Sequence, residues 1–322
     1  VRQNTRAAFR LDELNMGILR CDHPDIVEFI EAKSRAGVLA NFNLSVGVTD
    51  RFMRAVVNGR TFALVNPRTG RGSRQIRAEV LFDMMVNAAW RTGDPGLVFL
   101  DHINRANPTP EQGQIEATNP CGEVPLLPFE SCILGSINLA RMVTESRGSK
   151  GAGARVDWDK LRDRVHWGVR FLDDVIDVNR FPLESIASVT RANRKIGLGV
   201  MGFADLLIRL GIPYDSPQAV TFARRLMRFI HAESLVASEQ LARVRGPFPS
   251  FRKSIHARRN SKLRNATVNT IAPTGTISII AGCCSGIEPL FAISFVRNVL
   301  SGTRLFETNP WFEKVARDRG FY

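Results

Sequence analysis

Gly197-Leu198-Gly199-Val200-Met201-Gly202, with Lys195-Ile196 before it and Phe203-Ala204-Asp205-Leu206-Leu207 after it, decides what kind of α/β chain this is. The glycines fit G-x-G-x-x-G, the turn that seats a dinucleotide pyrophosphate on a helix N-terminus. The fit fails on two counts. These glycines lie inside the apolar run rather than after a completed strand. The acid expected roughly twenty residues on has only Asp215 near it, in the turn Pro213-Tyr214-Asp215-Ser216. We therefore read residues 195–201 as a buried strand whose small residues let a neighbour pack closely, followed by a helix over 203–210.

On either side, helix and strand keep alternating. Asp22-His23-Pro24-Asp25 combines a capping residue, an early proline and first-turn acid, which predicts a helix running to Ile30. Residues 80–90 predict a helix, 96–100 a short buried strand, 158–179 and 217–243 long helices, and 266–272 a further strand. The pattern predicts an α/β architecture with mainly parallel strands. Residues 146–154, rich in Gly and Ser, read as an exposed loop within a domain. No repeat period and no linker divides the chain, so one domain over 1–322 is expected.

With 322 residues, 44% of them hydrophobic, the chain can bury a large core. It has no apolar run of the ~18 residues a membrane span requires, and Val1-Arg2-Gln3-Asn4-Thr5-Arg6 lacks the order of a signal peptide. A cytoplasmic location is expected. Five cysteines (Cys21, Cys121, Cys132, Cys283, Cys284) in so long a chain are no disulfide scaffold. No Cys-x-x-Cys occurs, and His23 beside Cys21 lacks a second ligand pair, so no structural zinc is expected. The net charge of +13, in clusters such as Arg191-Ala192-Asn193-Arg194-Lys195 and Arg258-Arg259, suits phosphate-bearing ligands or a solvated basic surface. Aromatic residues are not interleaved with these arginines, which disfavours nucleic acid.

Two loops have the form of binding elements. Pro273-Thr274-Gly275-Thr276-Ile277-Ser278 follows the expected strand with a glycine, hydroxyls and backbone N–H groups, and reads either as an anion cradle or as an ordinary Pro-Thr-Gly turn. In Gly282-Cys283-Cys284-Ser285-Gly286 the adjacent thiols read as packing residues.

Asn119-Pro120-Cys121-Gly122-Glu123 sets an amide and a carboxylate at i−2 and i+2 of a thiol. In an extended or hairpin-tip segment these three side chains project from one side of the backbone and can share a cavity. A buried glutamate is costly without a purpose, which moves Cys121 away from mere packing. Cys132 adds a possible dithiol half. A thiolate nucleophile, dithiol redox chemistry and a thiyl radical all remain open; a nucleophile wants a histidine base, and His102 has no sequence link to Cys121.

The segment Asn119 to Pro128 with Ser131-Cys132-Ile133-Leu134-Gly135-Ser136-Ile137-Asn138-Leu139 closely resembles the active-site region of the adenosylcobalamin-dependent, class II ribonucleotide reductases. Asn15 to Arg20, Asp22 to Asp25, Asn41 to Asp50, Thr92 to Leu97, Ile196 to Gly202, Pro273 to Ser278 and Ser285 to Pro289 also look like family segments. The resemblance implies part of a ten-stranded α/β barrel with the active cysteine on a central finger loop, cut from a longer catalytic subunit. It implies reduction of ribonucleoside diphosphates, with Cys121 as the thiyl residue, Glu123 as the base at the 3′-hydroxyl and Asn119 as the orienting amide. Cys132 matches one redox cysteine, whose family partner lies upstream of the segments matched here. Pro273, Thr274, Gly275, Thr276 and Ser278 match the loop that holds substrate phosphates. Adenosylcobalamin, a thioredoxin-type reductant, deoxynucleotide effectors and a homodimer come with the family. Residues 9–14 depart from its arginine- and glycine-rich specificity loop, and Cys21 stands where an apolar residue is usual. A class I large subunit and an inactive or split remnant are the competing readings.

Overall fold

The structure is a computed structural model that describes residues 15–35, 37–145, 154–258, 262–298 and 304–321. Residues 9–14, Arg259 and most of the loop expected at 146–154 lie outside these. The chain divides into two compact units, Val1–Glu130 and Ser131–Tyr322.

In the first unit, β1 (Asn15–Arg20), α1 (Ile26–Glu31), β2 (Phe42–Val48), α2 (Asp50–Val57), β3 (Thr61–Val65), β4 (Gly72–Arg77), α3 (Ala78–Thr92), β5 (Gly96–Phe99) and α4 (Leu100–Arg105) follow in order. Strands β1, β2 and β5 form a parallel sheet, with Asn15 opposite Phe42 and Ser45 opposite Gly96. Buried Val46, Val48, Phe52, Phe62, Leu81 and Met85 make its core, and the Phe52 and Phe62 rings meet edge to face at 5.1 Å. Helix α2 starts where the Thr49 hydroxyl accepts the Phe52 N–H, and α3 ends at Gly93 with φ +85°. The helix expected from Asp22 begins only at Ile26, with no side-chain cap. Asp22 is drawn instead to the Arg20 guanidinium, and the His23 ring accepts the Asp25 N–H. A short hairpin, β6 (Ala117–Thr118) with β7 (Pro125–Leu126), closes the unit.

The second unit runs β8 (Ile133–Asn138), β9 (Val143–Thr144), β10 (Arg155–Val156), α5 (Trp158–Val178), α6 (Glu184–Asn193), β11 (Ile196–Met201), α7 (Phe203–Leu210), α8 (Pro217–Arg245), α9 (Gly275–Ala281), β12 (Ser294–Asn298), β13 (Arg304–Thr308) and α10 (Pro310–Arg319). Strands β8 and β11 are parallel, and every residue of β11 is buried. Helix α5 packs on both strands and α8 packs on α5, the two helices being capped by Asp157 and by Ser216-Pro217. The glycines of β11 do what was expected of them. A Cβ on Gly197 would sit 2.6 Å from Thr270 and Leu134 side chains, and one on Gly199 would sit 2.4 Å from the Thr270 carbonyl.

The strand expected over 266–272 forms only a single bridge, Leu198 with Asn269, although the segment does run along β11. The Leu198 N–H reaches the Val268 carbonyl at 2.8 Å, but the Asn269 side chain takes the Leu198 carbonyl at 2.9 Å and leaves the Thr270 N–H at 3.4 Å from it. Side-chain donors thus occupy acceptors that a ladder would use. The basic cluster at 191–195 also differs from a solvated face. Arg194 and Lys195 are buried, and Arg194 donates to Asp173, which also accepts from Asn265, Arg245 and Arg264. Part of the positive charge is therefore structural. Among the described residues no helix is long and apolar enough to cross a membrane.

Candidate active site

Between β6 and β7, residues 119–124 close into a tip. The Gly122 N–H donates to the Asn119 carbonyl at 3.0 Å, making a four-residue turn with Pro120 in its second place. The Asn119 N–H donates to the Val124 carbonyl at 3.2 Å, and the Asn119 Oδ1 accepts the Val124 N–H at 2.9 Å. Gly122 takes φ +85°, where a side chain would be strained. A turn rather than an extended run therefore carries Asn119, Cys121 and Glu123, and strict alternation does not order them. Cys121 is exposed at the tip; Asn119 and Glu123 are half-buried.

A cavity of about 600 Å³ opens beside the tip, lined by Cys121, Pro120 and Gly122 with Asn43, Asp94 and His102 among others. Asn119 and Glu123 do not line it. His102, which had no sequence link to Cys121, shares this cavity, and its Nδ1 lies 3.1 Å from the Arg105 guanidinium. Partial desolvation and then the Glu123 carboxylate push the Cys121 thiol above its ordinary pKa. The S–H form is favoured, which suits a hydrogen-atom donor and disfavours a thiolate nucleophile. Asn43 was missed at the sequence level: its Nδ2 donates to the Pro120 carbonyl at 2.8 Å. The signal was a polar side chain entering a buried strand.

The other expected residues lie in the second unit. Cys132 is half-buried just before β8. Thr274, at φ +56°, is buried and its hydroxyl accepts the Gly286 N–H at 2.7 Å. Ser278 is buried too, donating to the Gly275 carbonyl and meeting the Ser285 hydroxyl at 3.0 Å. Gly275 and Thr276 are exposed in the first turn of α9, where helix amides have no carbonyl behind them. Gly275, Thr276 and Ser278 line a second cavity of about 580 Å³ with Cys283, Cys284 and Asn309; Pro273 and Thr274 do not.

Asp205 escaped the sequence reading. Fully buried in α7, it accepts the Cys284 N–H and the Asn309 Nδ2, each at 2.7 Å, so one carboxylate ties the cysteine loop to the start of α10. Burial and then Asp205 push Cys283 up to about 11 and Cys284 up to about 12. Both thiols are thereby disfavoured as nucleophiles, although they line the cavity, where the sequence suggested packing alone. An acid inside Phe203-Ala204-Asp205-Leu206-Leu207 was the available clue.

Residues 14–321 match the family described as ribonucleotide reductase, barrel domain. The vitamin B12-dependent ribonucleoside-diphosphate reductase of Thermoplasma acidophilum is 55% identical over 309 residues, covering 96% of this chain and 39% of that protein. The protein of the same description from Mycobacterium tuberculosis (strain CDC 1551 / Oshkosh) is 57% identical over 308 residues, covering 95% of this chain and 43% of its own length. A ribonucleoside-diphosphate reductase subunit alpha of Chlamydia pneumoniae is 32% identical over 270 residues, 71% of this chain and 25% of that one. This chain spans about two fifths of the first two relatives, 39% and 43%. With a match running nearly end to end, the chain belongs to the ribonucleotide reductase family, in its barrel domain.

Proposed function

We propose that the chain is the catalytic barrel portion of a vitamin B12-dependent ribonucleoside-diphosphate reductase. The observation that carries the reading is an exposed thiol at the tip of a glycine-turned hairpin, beside a cavity. The relatives named for that activity add support. In this reading residues 1–322 form one domain, part of a ten-stranded α/β barrel, and 119–124 are its finger loop.

Cys121, exposed beside a cavity, is open to a bulky radical source, and a protonated thiol is what hydrogen-atom removal requires. When bound, adenosylcobalamin supplies the one-electron chemistry that takes that hydrogen atom. The Cys121 sulfur then takes the hydrogen atom from ribose C3′, breaking C–H and forming S–H. Glu123 holds the proton of the 3′-hydroxyl. Asn119 has spent its carbonyl on Val124, so it orients the ribose by donating from Nδ2. The 2′-hydroxyl leaves as water when a dithiol containing Cys132 gives up two electrons and two protons and becomes a disulfide, and the Cys121 S–H then returns its hydrogen atom to C3′, which leaves a closed-shell product and the thiyl radical. A thioredoxin-type protein restores that dithiol. The amides and hydroxyls of 273–278, led by exposed Gly275 and Thr276, hold the substrate phosphates. Deoxynucleotide effectors, a homodimer and a cytoplasmic location complete the proposal.

The test is 3′-tritium exchange and product formation by the full-length reductase with adenosylcobalamin. Cys121→Ser should lose both, and product from that variant would end the radical reading. Glu123→Gln should keep nucleotide binding and lose roughly a hundredfold or more in turnover; an active Gln variant would remove Glu123 from its role. Silence from the unaltered protein, with and without cobalamin, would leave an inactive remnant.

A further inference from the structure

We infer that Asn43 is a positioning residue for Cys121, setting the thiol's place through the peptide that precedes it. The tip's internal bonds, Asn119 with Val124 and Gly122 with Asn119, close the loop on itself. They do not say where the loop sits on the sheet. The Asn43 Nδ2 supplies that link, donating at 2.8 Å to the carbonyl of Pro120. That carbonyl belongs to the peptide unit whose N–H is Cys121's, so the bond fixes the plane from which the Cys121 side chain departs.

Asn43 itself leaves a stretch of backbone held on both sides. The Leu44 N–H donates to the Asp94 Oδ1 at 2.9 Å, and the Asp94 Oδ2 pairs with the Lys33 Nζ at 2.7 Å. The same ammonium donates to the Phe42 carbonyl. Lys33 and Asp94 are mostly buried, 15% and 17% exposed, so this ion pair is shielded from solvent. Strand β2, pinned by β1 through Met16 opposite Asn43, becomes the rigid element from which a single amide reaches the tip. Asn43 and Cys121 then line one cavity.

The catalytic consequence rests on the function proposed above; the positional claim does not. A hydrogen atom moves only over a short, aligned gap, and a misplacement of about 1 Å can cost roughly a hundredfold. The experiment uses the full-length reductase and two variants. Asn43→Asp keeps the shape but sets an acceptor against the Pro120 carbonyl; Asn43→Ala removes the donor without repulsion, should the aspartate disturb folding. In the cobalamin-free protein, iodoacetamide labelling of Cys121, read by mass spectrometry against Cys132 as internal reference, should change by roughly fivefold, the worth of one such hydrogen bond. In the complete enzyme, kcat should fall by about a hundredfold with KM for the nucleotide unchanged. Asn43→Gln, which keeps a donor, should recover part of both. Labelling and kcat both within roughly twofold of the parent would overturn the inference. An inactive parent sinks the proposed function, while the labelling ratio still decides for or against Asn43.

Discussion

Asp205→Asn probes whether the second cavity depends on one buried carboxylate. Asp205 is fully buried, and its two oxygens each receive one donor at 2.7 Å, the Cys284 N–H and the Asn309 Nδ2. An asparagine has nearly the same shape but one acceptor, and whichever way its amide turns, an NH2 faces a donor. One buried donor is left unsatisfied, which costs about 1–3 kcal/mol. The lost charge assistance acts in the same direction. Urea denaturation with an unchanged slope should therefore report a loss of about 2 kcal/mol. The second readout is chemical. The Asp205 charge is, after burial, the next cause of the raised Cys283 and Cys284 pKa values. Removing it should move both thiols back toward ordinary values and speed their labelling at alkaline pH, with Cys121 as control. A variant as stable as the parent, with Cys284 labelled no faster, would refute the tie.

Two further outcomes follow from packing and titration. Gly199→Ala must push a methyl group to 2.4 Å from a backbone carbonyl, whereas the Cβ of Gly197→Ala meets side-chain atoms at 2.6 Å and that of Gly275→Ala meets nothing within 4 Å. Urea denaturation should rank the losses in that order, with about 1–3 kcal/mol for Gly199→Ala; equal stabilities would show that residues 267–270 do not press on β11. At high pH, Cys21 and Cys283 at about 11 and Cys284 at about 12 stay neutral in the folded chain after unfolded thiols ionise near 9. The folded state then binds more protons than the unfolded one, so this part of the stability is full below about pH 9 and falls as pH rises toward 12. Replacing the three by serine should flatten that slope in pH-dependent melts.

Much of the fold could be read locally, and the reasons for the exceptions are physical. Helices such as α5 and α8 carry their own caps and apolar period, so their ends fell where expected. The glycines of β11 were correctly separated from a cofactor turn because position within the apolar run, not the motif, governs the backbone. The segment 266–272 looked like a strand because apolar residues alternate there, yet Asn269 diverts its hydrogen bonding to a side chain. Arg194 looked like surface because its partners, Asp173 and Asp177, lie on another helix and become neighbours only on folding. Asp205 and Asn43 each gave a clue, a polar side chain in an apolar run, but their partners are remote in sequence and so could not be read. The residues around Cys121 could be listed from sequence, with a hairpin tip as one of two expected settings, but the Asn43 bond that holds the tip could not.

The amide of Asn119 is divided between two employments. Its oxygen is committed to the Val124 N–H inside the loop, and its NH2 remains for whatever lies outside. No acidic or aliphatic residue meets both demands: aspartate would keep the loop closed while presenting the wrong polarity outward, and leucine would satisfy neither. The position is thus constrained by the architecture of the tip and, in the proposed function, a second time by the ribose it would orient. Either demand alone would admit another side chain; only an amide of this length answers both.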